Sequence, residues 1–188
     1  MSSQKNHELS KAKRLLNWYN MVPNIVWSVL NLVPISIYCY EKVPHKLLYI
    51  FIALSIAPGF FPNSFFDRMQ LGRTTRVYKK LGVGFVNQLA QNGTIINRLV
   101  KKKFPKYKMI SYQRSSINKL LQQTYMLEKF HFIMFVFFIL ITLYAIIHSH
   151  FWWAIIISVC NLFYNVYPNL LQQYVRVKLM LYERLKAN

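Results

Sequence analysis

An acidic and an imidazole side chain lie three residues apart where a long apolar run begins, at Glu128 and His131. Residues three apart share one face of a helix, so the carboxylate can lie beside the imidazole. A carboxylate in that position orients an imidazole and tunes its charge, which suits a general base. The alternative is structural: Glu128 then sits at the positive end of a helix dipole, and His131 is a polar residue at a membrane interface.

A second polar group accompanies the next apolar run. Amide side chains recur there every fourth residue and are predicted to form one inward-facing stripe: Asn161, Asn165, Asn169 and Gln173. Gln172, Tyr174 and Arg176 lie at the end of that stripe. Helix–helix contacts, each contributing on the order of 1 kcal/mol or less, are the alternative explanation for the amides. The flanking residues favour a site, because they fall on the side where the acid and the histidine are expected.

The composition is that of a membrane protein. Of the 188 residues, 54% are hydrophobic and 15% are charged, whereas roughly 25% charged residues are typical of soluble domains. The formal net charge is +19, with only five acidic residues. This balance indicates an anionic membrane surface or nucleic acid as a partner. The apolar runs favour membrane lipids, and we expect no nucleic-acid partner.

Four apolar runs predict an all-α membrane protein that forms one domain over residues 1–188. Crossing a bilayer core takes about 20 apolar residues, and the predicted spans fall near 21–40, 47–66, 130–147 and 151–171. The second run contains Pro58, Gly59 and Pro62. For this run a re-entrant segment is the alternative to a span.

Basic residues are distributed unevenly between the two sides of the predicted bundle. The N-terminal segment, segment 67–129 and the C-terminal tail hold 4, 14 and 4 of the 24 Lys and Arg residues. The opposite turns hold only Lys42 and Lys46. Because cytoplasmic loops carry the excess of Lys and Arg, we expect a multi-pass protein of the cytoplasmic membrane with both termini and segment 67–129 in the cytoplasm.

Segment 67–129 is expected to be basic and partly helical. Short helices are predicted at 73–81 and 94–103, separated by turn signals at Gly82, Gly84 and Asn92-Gly93. Residues 115–127 are expected to continue into the third span, and residues 1–20 to form a short surface helix. A basic patch either faces lipid headgroups or holds the phosphates of coenzyme A or the acidic face of a carrier protein; it comprises Lys101, Lys102, Lys103, Lys106 and Lys108.

Other signals for chemistry are weak. Cys39 and Cys160 lie in apolar runs without a CxxC spacing, so we expect free, buried thiols. Glu128 and His131 could supply two zinc ligands, but the sequence has no HExxH pattern and no evident third ligand, so we expect no metal. The sequence also has no signal-peptide pattern.

Three short patterns occur in a fixed order along residues 65–179. The central one has Tyr78, Lys80, Leu81 and Gly82, followed by Asn92-Gly93. The next has Thr124, Glu128, His131 and Phe132 at the start of a hydrophobic helix. The last has Asn165, Pro168, Gln172, Gln173, Tyr174, Val175, Arg176, Val177 and Leu179.

Together these patterns resemble the bacterial membrane family of glycosyl-4,4'-diaponeurosporenoate acyltransferases. The chain departs from the family pattern at several of these positions: Gln173 stands for Arg, Val175 for Asn, Val177 for Pro and Phe132 for Trp. The resemblance implies an integral membrane enzyme of the bacterial inner membrane. Such an enzyme moves a fatty acyl chain onto a sugar hydroxyl of a glycosylated lipid, as in carotenoid biosynthesis.

The expected mechanism is acyl transfer at the cytoplasmic leaflet. His131 takes the proton of an acceptor hydroxyl and is oriented by Glu128. Substrate binding is assigned to Arg176, Gln172, Tyr174, Asn165 and Gln173, with the first three expected to bind the acyl carbonyl or stabilise the oxyanion. An acyl thioester, either acyl-CoA or acyl carrier protein, is the co-substrate, a lipid-linked sugar is the acceptor, and we expect no cofactor.

The alternative function is a non-catalytic membrane scaffold or lipid-binding subunit. It predicts that Glu128 points to lipid or pairs with Lys129 in solvent, away from Arg176.

Overall fold

The fold is all-helical, as predicted. The computed structural model describes residues 2–89, 94–105 and 114–187, and within these ranges the chain forms helices and no strand. The α-helices in chain order are α1 (Ser2–Lys42), α2 (His45–Ile56), α3 (Asn63–Arg68), α4 (Thr75–Lys80), α5 (Val83–Leu89), α6 (Thr94–Lys103), α7 (Arg114–Ile147), α8 (Phe151–Asn161) and α9 (Tyr167–Ala187). A 3₁₀ turn at Ala57–Phe60 follows α2, and a π-helical segment at Leu162–Val166 joins α8 to α9.

Among the described residues, three helices are long and apolar enough to cross a membrane: Ser10–Lys42 within α1, Ile117–Ile147 within α7, and Phe151–Leu185, which runs through α8 and α9. The first, third and fourth predicted spans lie inside them. Each helix extends beyond its apolar run into polar sequence, because nothing there breaks the backbone hydrogen bonding. The surface helix predicted at residues 1–20 is therefore the first part of α1, and residues 115–127 belong to α7 as predicted.

The second apolar run differs from the predicted span at 47–66. Its regular helix has 12 residues and ends at Ile56. The 3₁₀ turn follows, and Phe61 and Pro62 are extended, with ψ of 140° and 158°. At about 1.5 Å per residue, His45–Phe60 covers roughly 25 Å of a core about 30 Å thick. Pro58 and Pro62 explain the break, since proline cannot donate to a helix, and the four-span count is not confirmed.

Segment 67–129 contains the short helices that its sequence predicts. The helices predicted at 73–81 and 94–103 correspond to α4 and α6, and α5 lies between them. Predicted features at Asn92-Gly93, Lys106 and Lys108 lie outside the described residues. The segment contacts the long helices at two places: α6 packs on α1, and α4 and α5 pack on α9.

The two predicted turns lie at one end of the bundle. The Tyr144 hydroxyl donates to the Lys42 carbonyl oxygen at 3.0 Å, and the Tyr38 hydroxyl lies 2.9 Å from Nδ1 of His150. Beneath them, a core of tightly buried residues joins α1, α7 and α8, including Phe138, Ile141 and Ile157. The basic start of α1, the start of α7 and the end of α9 therefore lie at the opposite end. Cys39 and Cys160 are buried free thiols, as predicted.

Gly82, between α4 and α5, has a φ of 76°. The left-handed conformation costs a residue with a Cβ roughly 1–2 kcal/mol of free energy, although a Cβ at Gly82 would meet nothing within 4 Å. We therefore expect Gly82→Ala to lower the free energy of unfolding by about 1–2 kcal/mol, measured by denaturation of the detergent-solubilised protein. Gly84→Ala is the matched control, because Gly84 is also unobstructed but lies inside α5, where alanine is favoured by about 1 kcal/mol. Equal destabilisation by both would contradict the prediction.

Candidate active site

Glu128 lies on α7 with its carboxylate turned toward α9 and only 2% of the residue exposed. One oxygen accepts a hydrogen bond from Nε2 of Gln173 at 2.8 Å. The other is 2.5 Å from Nη1 of Arg176, in a buried ion pair. The two polar helix regions singled out in the sequence therefore meet. The scaffold alternative, which predicts Glu128 in lipid or paired with Lys129, does not match this geometry.

Arg176 is fully buried and supplies the positive charge of this network. Its Nε lies 3.4 Å from Oε1 of Gln70 and 3.7 Å from Oδ1 of Asp67. Its guanidinium carbon lies 4.3 Å from the ring centroid of Tyr125, which adds a cation–π contact. A buried charge is costly unless it is paired and hydrogen-bonded. Arg176 meets this requirement at Nη1, which pairs with Glu128, and at Nε, which faces Gln70 and Asp67. Among the described residues Nη2 is buried and has no hydrogen-bond partner, so its N–H donors are unused there.

Gln173 connects Glu128 to segment 67–129. While its Nε2 donates to Glu128, its Oε1 accepts from the Leu71 backbone N–H at 3.2 Å and from the Tyr78 hydroxyl at 3.3 Å. The same hydroxyl donates to the Gly72 carbonyl at 3.1 Å. Burial raises the pKa of Tyr78 above its usual range, so the hydroxyl keeps its proton and remains a donor. Gln173 thus fixes the loop after α3 relative to α7 and α9.

Asp67 completes the network on its exposed side. Its Oδ1 accepts a hydrogen bond of 2.6 Å from the Tyr125 hydroxyl, and 46% of its side chain is exposed. Tyr125 is three residues before Glu128 on the same face of α7 and is buried. Asp67, Tyr125, Glu128, Gln173 and Arg176 therefore join α3, α7 and α9 in one continuous polar cluster.

His131 lies one turn further along α7 but interacts with a different group. It is adjacent to Asn165 and to the backbone of Tyr164, and its ring centroid is 6.1 Å from that of Tyr164. Within the described ranges, no hydrogen bond joins His131 to Glu128, whose oxygens are bound by α9. The structure therefore lacks the carboxylate–imidazole bond that the spacing predicts. Nδ1 of His131 and Oδ1 of Asn165 are both buried without a hydrogen-bond partner in the described part of the chain.

The π-helical segment and Pro168 explain why Asn165 reaches His131. In a regular α-helix the Tyr164 carbonyl would accept from the N–H of residue 168, which proline lacks. The Leu162–Val166 segment widens instead, and Tyr167 donates to the Leu162 carbonyl. Insertions of this kind are frequent at functional sites. The Tyr164 backbone is thereby left available beside the imidazole.

The predicted amide stripe is only partly a hydrogen-bonded series. Nδ2 of Asn165 donates to Oδ1 of Asn161 at 2.8 Å, and Nδ2 of Asn161 donates to the Phe135 carbonyl at 3.3 Å. These two contacts join α8, the π segment and α7. Oδ1 of Asn169 is buried and has no partner among the residues that the structure describes. The stripe thus combines helix–helix contacts with two Oδ1 atoms, those of Asn165 and Asn169, that accept no hydrogen bond from a described residue.

Gln172 and Tyr174, the other two predicted binding residues, lie on α9 outside the Glu128 contacts. Both are half-buried. The Tyr174 ring packs against the Tyr78 ring, with centroids 6.3 Å apart. Of the predicted binding residues on α9, Gln173 and Arg176 contact Glu128 directly.

The residues that form this polar cluster lie within a match to a known protein family. The model of the glycosyl-4,4'-diaponeurosporenoate acyltransferase family matches residues 62–184. The chain belongs to this family. No curated protein and no solved structure matches it.

The acyltransferase family match covers the whole polar cluster. It starts at Pro62, just before α3, and ends at Arg184 in α9. It includes the predicted range 65–179, so the resemblance read from the sequence is confirmed. Helices α1 and α2 lie outside it. The residues that this chain shares with the acyltransferase patterns, including Glu128, His131 and Arg176, thus lie in the matched part.

Four residues that contact Gln173 or Arg176 were not predicted as site residues: Asp67, Gln70, Tyr78 and Tyr125. Three of them carried a usable signal. Tyr78 belongs to the central pattern that resembles the family. Asp67 is one of only five acids and directly follows an apolar run. Tyr125 precedes Glu128 by three residues and so shares its helix face. Gln70 gave no comparable signal, because its contact depends on a loop conformation.

Proposed function

We propose that the protein transfers a fatty acyl group from an acyl thioester to a hydroxyl group of a glycolipid or glycosylated carotenoid-like acceptor. The reaction takes place at the cytoplasmic leaflet of the bacterial inner membrane. The observation that carries the proposal is the buried Glu128–Arg176 pair with the unpaired Nδ1 of His131 one helical turn away. Membership of an acyltransferase family supports the reaction class.

His131 acts as the general base. Its Nδ1 makes no hydrogen bond to a described residue and can hold the lone pair that a base needs. It accepts the proton of the acceptor hydroxyl while the hydroxyl oxygen forms a bond to the thioester carbonyl carbon. The C–S bond then breaks, and the imidazolium returns the proton to the departing thiolate. The products are an ester and a free thiol.

Arg176 stabilises the negative charge that develops on the carbonyl oxygen. Its Nη2 is the donor left unused by the described residues. A fixed donor in a buried site is worth about 3–4 kcal/mol to a transition state of this kind. Glu128 acts as a positioning residue, because it holds Nη1 of the same guanidinium. The Oδ1 atoms of Asn165 and Asn169, which accept no hydrogen bond from a described residue, suit sugar hydroxyl groups.

The proposed orientation follows from the charge distribution. The basic start of α1, segment 67–129 and the end of α9 carry 22 of the 24 Lys and Arg residues. The polar cluster lies toward that end of the bundle, next to α3 and the loop after it. Under the positive-inside rule this end faces the cytoplasm. Acyl coenzyme A and acyl carrier protein are both available on that side.

The test is an acyl-transfer assay on purified protein in lipid vesicles. The substrates are a mass-labelled acyl thioester, supplied on coenzyme A or on acyl carrier protein, and a lipid-linked glucoside. The same lipid without its sugar is the matched control acceptor. We expect an O-acyl product, detected by mass spectrometry, with the glucoside only. The absence of an ester product with both donors would refute the proposal.

A further inference from the structure

A cavity of about 430 Å³ opens beside the polar cluster, between α3, the loop that follows it and α9. Three arginines line it: Arg68 at the end of α3, Arg73 in the loop after α3, and Arg184 on α9. The apolar part of the lining comes from the α9 residues Val177, Met180 and Leu181. Ligand sites commonly have volumes of roughly 300–1,000 Å³, so the cavity is large enough for part of a substrate.

The positive charge of this cavity is not neutralised by its own carboxylate. Asp67 also lines the cavity, but its Oδ1 accepts from Tyr125 and lies 3.7 Å from Nε of Arg176. In the part of the chain that the structure describes, none of Arg68, Arg73 and Arg184 forms an ion pair. Arginine binds phosphate through paired, charge-assisted hydrogen bonds. Three unpaired guanidinium groups around one opening therefore suit a phosphate-bearing ligand.

The cavity is connected to the proposed reaction centre. Asp67 and Gln70 line it and also contact Nε of Arg176. A ligand whose phosphate lies on the arginines can thus extend past Asp67 and Gln70 toward the buried guanidinium of Arg176.

We infer that this cavity binds the phosphate-bearing part of the acyl donor, through Arg68, Arg73 and Arg184. The inference rests on the proposed acyl transfer and adds the donor subsite to it. Both candidate donors attach the acyl chain to an arm that ends in a phosphate group, so both fit. The site differs from the basic patch that includes Lys101, Lys102 and Lys103, because the cavity adjoins the Glu128–Arg176 pair.

The test measures binding of coenzyme A itself, which carries the phosphates but no acyl group. The variant is Arg68→Gln, Arg73→Gln, Arg184→Gln, and its three sites are exposed in the fold. The control, Arg76→Gln, Lys79→Gln, Arg98→Gln, removes the same charge from exposed positions that do not line the cavity. We expect Kd to rise at least about tenfold in the cavity variant only, since charge-assisted hydrogen bonds are lost. An equal change in both, or no change in the cavity variant, would overturn the inference.

Two further measurements separate the possible failures. A phospholipid headgroup carries the same chemistry, so the assay is repeated with phosphatidylglycerol in nanodiscs. Binding of that lipid, and not of coenzyme A, through the three arginines would overturn the assignment to the donor. The coenzyme A measurement is also made with His131→Ala protein, in which we expect the arginine-dependent binding to be retained. If the wild type forms no ester but the three arginines still bind coenzyme A, the proposed function is refuted and the phosphate-binding role of the cavity stands.

Discussion

Replacing His131 with alanine is expected to lower the rate of acyl transfer by about 10²- to 10⁴-fold, the usual contribution of a positioned general base. The physical reason is that Nδ1 of His131 is buried near the reaction centre and free of described hydrogen-bond partners. Loss of the imidazole leaves the acceptor hydroxyl without a group to take its proton. The measurement is the initial rate of ester formation at saturating acyl thioester.

Two controls distinguish this role from a structural one. His148→Ala removes a histidine at the opposite end of the bundle, and we expect its transfer rate to match the wild type. Added imidazole should restore part of the activity of His131→Ala, because a small base can enter the space left by the side chain. Unchanged activity in His131→Ala, with a folded protein confirmed by its unfolding midpoint, would exclude His131 as the base.

Replacing Glu128 with alanine is expected to lower the free energy of unfolding by about 3–5 kcal/mol and to abolish acyl transfer. Removing one partner of a buried ion pair leaves the other charge uncompensated. Here that charge is on Arg176, which is fully buried. Chemical denaturation of the detergent-solubilised protein measures the loss. Glu41→Gln, at an exposed position, is the control and should change neither quantity.

The double variant Glu128→Gln, Arg176→Met separates stability from activity. Replacing a buried ion pair with uncharged groups of similar volume is often neutral or stabilising. We therefore expect the double variant to recover most of the stability lost in Glu128→Ala. Acyl transfer should remain absent, because no guanidinium is present to stabilise the oxyanion. Recovered transfer in the double variant would contradict the role of Arg176.

The meeting of Glu128 with Gln173 and Arg176 could be predicted from the sequence. Each of the two polar groups lies at the end of an apolar run. Hydropathy and the distribution of basic residues predicted that these two ends lie on the same side of the membrane. The orientation of His131 could not be predicted in the same way. Three-residue spacing puts His131 near Glu128, but Arg176 and Gln173 occupy both carboxylate oxygens. The π-helical segment before Pro168 then supplies a separate environment for the imidazole.

The fold was predictable to a similar extent. Long apolar runs correctly predicted α1, α7 and the helix formed by α8 and α9, because a membrane-spanning helix is recognised mainly by its length and hydropathy. The second span was predicted to be longer than the observed helix α2, since Pro58 and Pro62 interrupt the helix after Ile56. Gly59 also allows close packing there, as a Cβ would lie 3.1 Å from Cδ1 of Ile133. The contacts of Asp67 and Gln70 join residues more than one hundred positions apart in sequence, which no local pattern encodes.

The order in which the chain is synthesised gives the buried ion pair a further significance. The ribosome produces Glu128 well before Arg176, so α7 emerges with a carboxylate whose counter-ion does not yet exist. Its ion-pair partner in the described part of the chain arrives with α9. A nascent chain interrupted before Arg176 would keep an unshielded acid in an apolar helix, a feature that quality-control proteases could distinguish from the completed protein.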